Sequence, residues 1–300
     1  MRKRGSCAFL MCIIMMLSLC LFLASCGDDD KAGGGGNDTT KNSSIDSSDP
    51  GSATSSGGTS YEAASYYFAE AEQNLEEAGG NSRVDSNSEI IIKANGSVIS
   101  RTKTALMIKT DGTGIYLAAS TTSDLEATKA EMTCCDGWIY IDMQDQKIRM
   151  EAGADEAFEL FYGSDATLSD KEVTFDKDAL DTVDVVMING KYTVSGDRSD
   201  GVFDDMIILM MDVIQSSLIE SGLSGALLTL ADYDIKFSFG TDGNYSEIEM
   251  NIEMNMQYSG AEFEIKASLS EKYSQIGEVP EITAPSDLSQ YQIVSSGIQI

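Results

Sequence analysis

The sequence contains no histidine. That absence removes the usual Ser-His-Asp and Cys-His nucleophile pairs and the histidine-based zinc and copper sites. Cysteine is scarce where a folded domain would use it. Of six cysteines, Cys7, Cys12 and Cys20 lie within the N-terminal 25 residues, around an apolar run, and Cys26 follows that segment directly. Only Cys134 and Cys135 remain for the rest of the chain, so there is no disulfide framework. Neighbouring residues on a strand point to opposite faces, and two small, partly buried thiols are expected. Basic residues are few, 20 against 49 acidic ones, for a net charge of -29. A surface of that sign repels nucleic acid and anionic membrane faces. No loop has EF-hand spacing, no glycine-rich phosphate loop is present, and no Gly-x-Ser-x-Gly elbow occurs. Most carboxylates alternate with apolar residues along strands, as on a solvated face. Neither an enzyme nor a metal or cofactor site is expected.

What is present begins with Arg2, Lys3 and Arg4, followed by an apolar stretch from Ala8 to Leu23. Small residues then precede Cys26, in Leu23-Ala24-Ser25-Cys26. Basic, apolar and small-residue regions in that order make residues 1–25 a secretory leader. A cysteine directly after the cleavage point resembles the lipobox of bacterial lipoproteins. The resemblance implies a diacylglycerol on the Cys26 thiol, cleavage before it and acylation of the new amino terminus. Each buried CH₂ of such chains contributes about 0.8 kcal/mol to anchoring. A plain signal peptide and a short membrane helix are the alternatives, and the run is near the lower length limit for a span. The expected location is the extracytoplasmic face of the cell membrane. Without the leader, 17 basic residues face 49 acidic ones, a net charge of -32.

Residues 27–60 are almost entirely Gly, Ser, Thr, Asp and Asn. Such a composition cannot build a core. With Cys26 it forms a 26–60 tether, reaching about 30 Å when coiled. A single folded domain is expected over 61–285, with 286–300 as a tail. Thr59, Ser60 and Glu62 suit a capping box. Tyr61, Ala64, Phe68, Ala71, Leu75 and Ala78 then recur at helical spacing until Gly79-Gly80. A β region is expected from about Glu89 to Met150. Its hairpin signals are Asn95-Gly96, Asp111-Gly112 and Asp136-Gly137. A short helix over 155–162 and a hairpin around Asn189-Gly190 follow.

The most apolar helix of the mature chain spans 202–220, with Ser199 or Asp200 as its cap. Phe203, Met206, Ile207, Met210, Val213, Ile214 and Leu218 form a stripe that Ile208, Leu209 and Met211 widen almost all round. Such a helix is expected to be buried on several sides. Asp204, Asp205 and Asp212 argue against membrane insertion. The clearest alternation comes last. Ile248, Met250, Ile252, Met254 and Met256 alternate with Glu247, Glu249, Asn251, Glu253 and Asn255. Phe263, Ile265, Ala267 and Leu269 do the same after Ser259-Gly260. This is an antiparallel meander with one dry face. Pro280 and Pro285 mark an irregular end.

This order of elements resembles the half-barrel lipoproteins related to the LolA, LolB and LppX carriers, and most of all the uncharacterised Gram-positive lipoproteins built the same way. The resemblance covers about residues 61–285 and carries no catalytic signature. It implies an α+β fold in which a curved, mostly antiparallel half-barrel sheet wraps around helices and takes acyl chains on its concave side. Thioether side chains suit an adaptable binding surface. Met206, Met210, Phe237, Phe239, Met250, Ile252, Met254, Met256, Phe263 and Ile265 are therefore the candidate ligand-binding residues as a group, while for each residue taken singly core filling is the better reading. Tyr61, Tyr66 and Tyr67 are candidates to rim an entrance. The expected function is non-catalytic binding of a lipid or other hydrophobic ligand. The alternative is an acidic protein-interaction or regulatory module of the cell envelope with a packed core.

Overall fold

Strand alternation and two-residue turns account for most of the architecture. A computed structural model of the chain describes residues 61–124, 127–143, 146–151, 176–220, 223 and 225–294. After helix α1 (Ala64–Glu77), six strands follow: β1 (Ser82–Ala94), β2 (Ser97–Thr110), β3 (Ile115–Ser123), β4 (Ala127–Cys135), β5 (Trp138–Met143) and β6 (Gln146–Glu151). A one-turn helix α2 (Lys177–Leu180) leads to β7 (Val185–Ile188) and β8 (Lys191–Asp197). Helix α3 (Asp204–Glu220) then precedes β9 (Leu227–Phe239), β10 (Tyr245–Tyr258) and β11 (Ala261–Ser274), and β12 (Gln292–Ile293) closes the described chain. The helix expected over 155–162 lies outside the described residues.

All twelve strands form one sheet in the order β12-β6-β5-β4-β3-β2-β1-β11-β10-β9-β8-β7. Pairing of β1 with β11 joins the two meanders, with Ile92 opposite Ile265 and Ser86 opposite Glu271. Every pairing is antiparallel except β12 on β6, which is parallel. The turns fall at Asn95-Gly96, Asp136-Gly137, Asn189-Gly190 and Ser259-Gly260. In each the first residue has φ of 51–52° and the glycine 76–80°. Both positions of such a turn need positive φ, which Asn, Asp and Gly tolerate best; Ser259 takes the same conformation.

The expected α+β half-barrel wrapped around helices is corrected by this sheet. The protein is sheet-dominated, built on one open, mixed sheet with few helices. The reason lies in α3. Its stripe of Phe203, Met206, Ile207, Met210, Ile214 and Leu218 is buried, but Ile208 and Ile219 are 54 % and 49 % exposed. The helix is covered on one side only, so no sheet has to surround it.

Smaller corrections have similarly local causes. Helix α1 begins at Ala64 after Ala63, with no side-chain cap. Neither Ser199 nor Asp200 caps α3. Asp197 Oδ1 accepts from the Ser199 amide and hydroxyl, and Asp200 Oδ2 accepts from the Asp197 amide. Strand β1 starts at Ser82, seven residues before Glu89, because its first half is too polar to show alternation. Within the stretch read as a tail, Gln292 and Ile293 extend the sheet edge.

The apolar face gathers into one cluster spanning β1–β6, β8–β11 and the helices. Gly196 on β8 is a tight point in it. A Cβ there would lie 2.7 Å and 2.8 Å from Cε2 and Cδ2 of Phe203, a ring that is itself buried. Gly196→Ala is expected to cost about 1–3 kcal/mol by overpacking, read as a lower urea midpoint with unchanged m.

Candidate functional site

The parity of each strand decides which side chains meet. On β9–β11 the residues facing inward include Phe237, Phe239, Met250, Ile252, Met254, Met256 and Ile265, all 8 % exposed or less. Met254 stands opposite Ile265, and Met256 opposite Phe263, which is partly buried. Met206 and Met210, each 1 % exposed, enter the same cluster from α3. All ten candidate residues thus share one apolar face.

Helix α1 covers the end of that face through its aromatic residues. Phe68 lies 4.8 Å from Phe237, 5.0 Å from Phe239 and 6.4 Å from Tyr245, ring centre to ring centre. Tyr67 packs on Tyr192 at 4.6 Å, and Tyr61 reaches Tyr192 at 5.8 Å. Tyr66 is 47 % exposed and its hydroxyl donates to Glu70. Two of the three tyrosines therefore fix α1 to the sheet, and one faces water. Helix α3 is held by the Phe203 ring 5.3 Å from Phe237 and by the Tyr233 hydroxyl donating to Asp204 at 2.7 Å. Gln215 bridges to the start of β9, donating to the Ala226 carbonyl and accepting from the Leu228 amide.

One end of the sheet is apolar at its surface. The β1–β2 turn, the β10–β11 turn and the start of β9 lie along that end, spread over five adjacent strands, as the register of Ala94 with Phe263 and of Gln257 with Leu227 requires. Val98, Ile99 and Leu227 at that end are 49 %, 55 % and 57 % exposed. Ile219 lies one turn beyond Gln215 on the adjoining helix, and it is also exposed. Met256, Leu228 and Phe263 lie just inside.

Sequence reasoning missed Glu271. It shares the parity of Ile265, Ala267 and Leu269, and that parity was the available signal. Its carboxyl is fully buried on the apolar face, where Tyr273 donates a 3.0 Å hydrogen bond to Oε2. Burial pushes its pKa up to about 8, against the smaller opposing effect of the Tyr273 bond. At neutral pH the group is therefore a neutral acid and a hydrogen-bond donor.

The opposite face is charged and wet. A shallow groove of about 590 Å³ crosses it, walled by Glu89, Lys103, Asp234, Lys236 and Glu249. These charges largely satisfy each other. Lys236 pairs with Glu249 at 2.6 Å, Lys103 with Glu89 at 3.4 Å, and Asn251 donates to Asp234. Among the described residues, no group of three or more His, Cys, Asp or Glu could hold a metal ion. Among them too, no helix is long and apolar enough to cross a membrane.

Cys134 and Cys135 are free thiols, both buried, on opposite faces of β4. Burial, aided by the nearby Asp136 carboxylate, pushes Cys135 up to about 11. Thiolate is the reactive form. The peptide carrying both residues is expected to resist iodoacetamide at pH 8 until denaturant is added, as read by mass spectrometry.

Residues 67–292 match the model of a family described as "Family of unknown function (DUF6612)". The chain belongs to this DUF6612 family. Its matched span runs from within α1 to β12, so the family unit is the sheet with its covering helices. No curated protein matches the sequence. Among solved structures, this DUF6612 chain is similar to the ywiB protein of Bacillus subtilis. Identity is 10 %, coverage 65 % of this chain and 93 % of that one, and the TM-score 0.18. A DUF1329 family protein from Desulfovibrio piger gives 11 %, 77 %, 100 % and 0.20, in the same order. A LolA superfamily protein from Nitrosomonas europaea gives 12 %, 68 %, 91 % and 0.19. Superpositions with such scores carry no argument about what the DUF6612 chain does.

Proposed function

We propose that the protein is a non-catalytic binder of a lipid or other hydrophobic ligand, held at the extracytoplasmic face of the cell membrane through acylated Cys26. The observation that carries this reading is the apolar end of the sheet. There, exposed Val98, Ile99, Ile219 and Leu227 adjoin a buried face rich in methionine. An apolar rim along that end is where a hydrophobic ligand would first make contact. Acyl chains would enter between the sheet and α3, driven by apolar burial at about 25 cal/mol per Å². Thioethers would repack around chains of different length. Helix α3 is the element that moves, since its outer side faces solvent. The tether then allows the domain to work away from its anchor.

The charged groove favours a second reading, in which the interior stays packed and the acidic face meets another envelope protein. A titration separates the two. The full chain is mixed with a pyrene-labelled fatty acyl probe and fluorescence is followed. Saturable uptake, slowed by Leu227→Asp at the exposed rim, is the expected result. Absence of saturable uptake in the wild type would favour the second reading.

A further inference from the structure

The buried face is not uniformly apolar. A band of polar side chains crosses its middle: Glu271 on β11, Ser86 and Ser88 on β1, Thr104 on β2 and Thr121 on β3. Glu271 stands opposite Ser86, Ser88 opposite Thr104, and Thr104 opposite Thr121. None is more than 8 % exposed, and Glu271 and Ser86 are 0 % and 2 %. Thr102, opposite Ile90, flanks the band at 2 %.

Part of the band is satisfied. Thr104 and Thr121 share a 3.2 Å hydrogen bond, and Tyr273 donates to Glu271. Ser86 Oγ, Thr102 Oγ1 and Glu271 Oε1 have no hydrogen-bond partner. Buried polar atoms without partners are rare, because each loses its water and gains nothing. An apolar residue of similar size would avoid that loss at each position. Two of these atoms, Ser86 Oγ and Glu271 Oε1, belong to residues directly opposite each other, and such an unpartnered pair in the middle of a largely apolar face points to something that binds there.

Charge narrows what that something is. No basic group contributes to the state of Glu271, whose causes are burial and the Tyr273 bond. Lys272 and Arg83, on β11 and β1 beside the band, have the opposite parity and pair with Glu247 and Asp85. Among the described residues no Lys or Arg on a strand has the inward parity of this face, so a phosphate or carboxylate head would find no cation from them. A neutral head would find donors and acceptors.

We propose that Glu271 and Ser86, which face each other across β11 and β1 within this band, bind with Ser88 the neutral polar head of an amphiphile, an ester- or hydroxyl-bearing glycerol lipid such as a diacylglycerol. A carbonyl oxygen of the lipid accepts from the Ser86 hydroxyl and from the protonated Glu271 carboxyl. A free lipid hydroxyl donates to Ser88, the next inward residue of β1. The acyl chains continue along the face towards Met254 and Met256. This assignment rests on the hydrophobic-ligand reading and specifies the head that accompanies the chains.

The test uses the full chain with phosphatidylcholine vesicles carrying one of three photoreactive probes: a diacylglycerol with the reactive group beside the glycerol, a phosphatidylglycerol of the same design, or an alkane. Adducts are mapped by mass spectrometry. The expected result is diacylglycerol labelling on the peptides carrying Ser86 and Glu271. It should exceed phosphatidylglycerol labelling by about tenfold, the ratio given by about 1.4 kcal/mol. Glu271→Leu should remove that preference, and Glu271→Gln, which keeps a donor, should retain it. Alkane labelling of Glu271→Leu at the wild-type level shows that the interior is intact. Equal labelling by all three probes, unchanged in Glu271→Leu, would overturn the assignment and leave water in the band while interior binding stands. Preference for phosphatidylglycerol would overturn it as well. Labelling by no probe would defeat the hydrophobic-ligand reading itself, and this assignment with it.

Discussion

Glu271→Gln is expected to stabilise the protein at pH 8 relative to the wild type, and to leave it nearly unchanged at pH 4.5. In the unfolded chain the carboxyl titrates near its ordinary value of 4.5, whereas in the native state burial raises it to about 8. Between those values the native protein holds a proton that the unfolded chain has released. Native stability from this group is complete below pH 4.5 and is lost as pH rises, by up to about 1.4 kcal/mol per unit. Glutamine is similar in shape, can accept the Tyr273 hydrogen bond and has no proton to lose. The difference between variant and wild type should therefore grow from pH 4.5 to 8 and level off above. Urea melts across that range measure it. The other carboxylates titrate in both proteins and cancel in the difference. A difference that does not vary with pH would mean that Glu271 ionises in the folded state as it does in water.

Phe68→Ala is expected to cost about 3–5 kcal/mol, a large part of the 5–15 kcal/mol that holds a typical domain. Phe68 is 3 % exposed and its ring sits among Phe203, Phe237, Phe239 and Tyr245. Phe68 is the most deeply buried aromatic of α1, whose N-terminus has no side-chain cap, and Tyr67 adds its contact with Tyr192. The truncation should lower the urea midpoint and raise hydrogen exchange along α1. The distant β3–β5 hairpins should keep their native protection until global unfolding. A loss below 1 kcal/mol would show that α1 contributes little to the covered face.

Much of the dry face was legible because β10 alternates without a break from Ile248 to Met256, and a period of two leaves one arrangement for a half-buried strand. The turns were legible for a chemical reason: Asn95, Asp136 and Asn189 adopt positive φ, which few other residues do readily. The architecture was less legible. An apolar helix reads the same whether a sheet surrounds it or flanks it, and only the exposure of Ile208 and Ile219 distinguishes the two. The pairing of β1 with β11 joins residues far apart in sequence, and no local pattern encodes it. The start of β1 was hidden because Ser86 and Ser88 occupy inward positions where alternation would show apolar residues. The residues that concealed the strand are those that form the polar band.

Native mass spectrometry of the full chain, followed by organic extraction of whatever it carries, tests the central claim most directly. The account predicts a mass increment that is released on unfolding and extracts as a lipid, or one that appears after incubation with bacterial lipid extract. A mass equal to that of the chain alone, unchanged by such incubation, would contradict it.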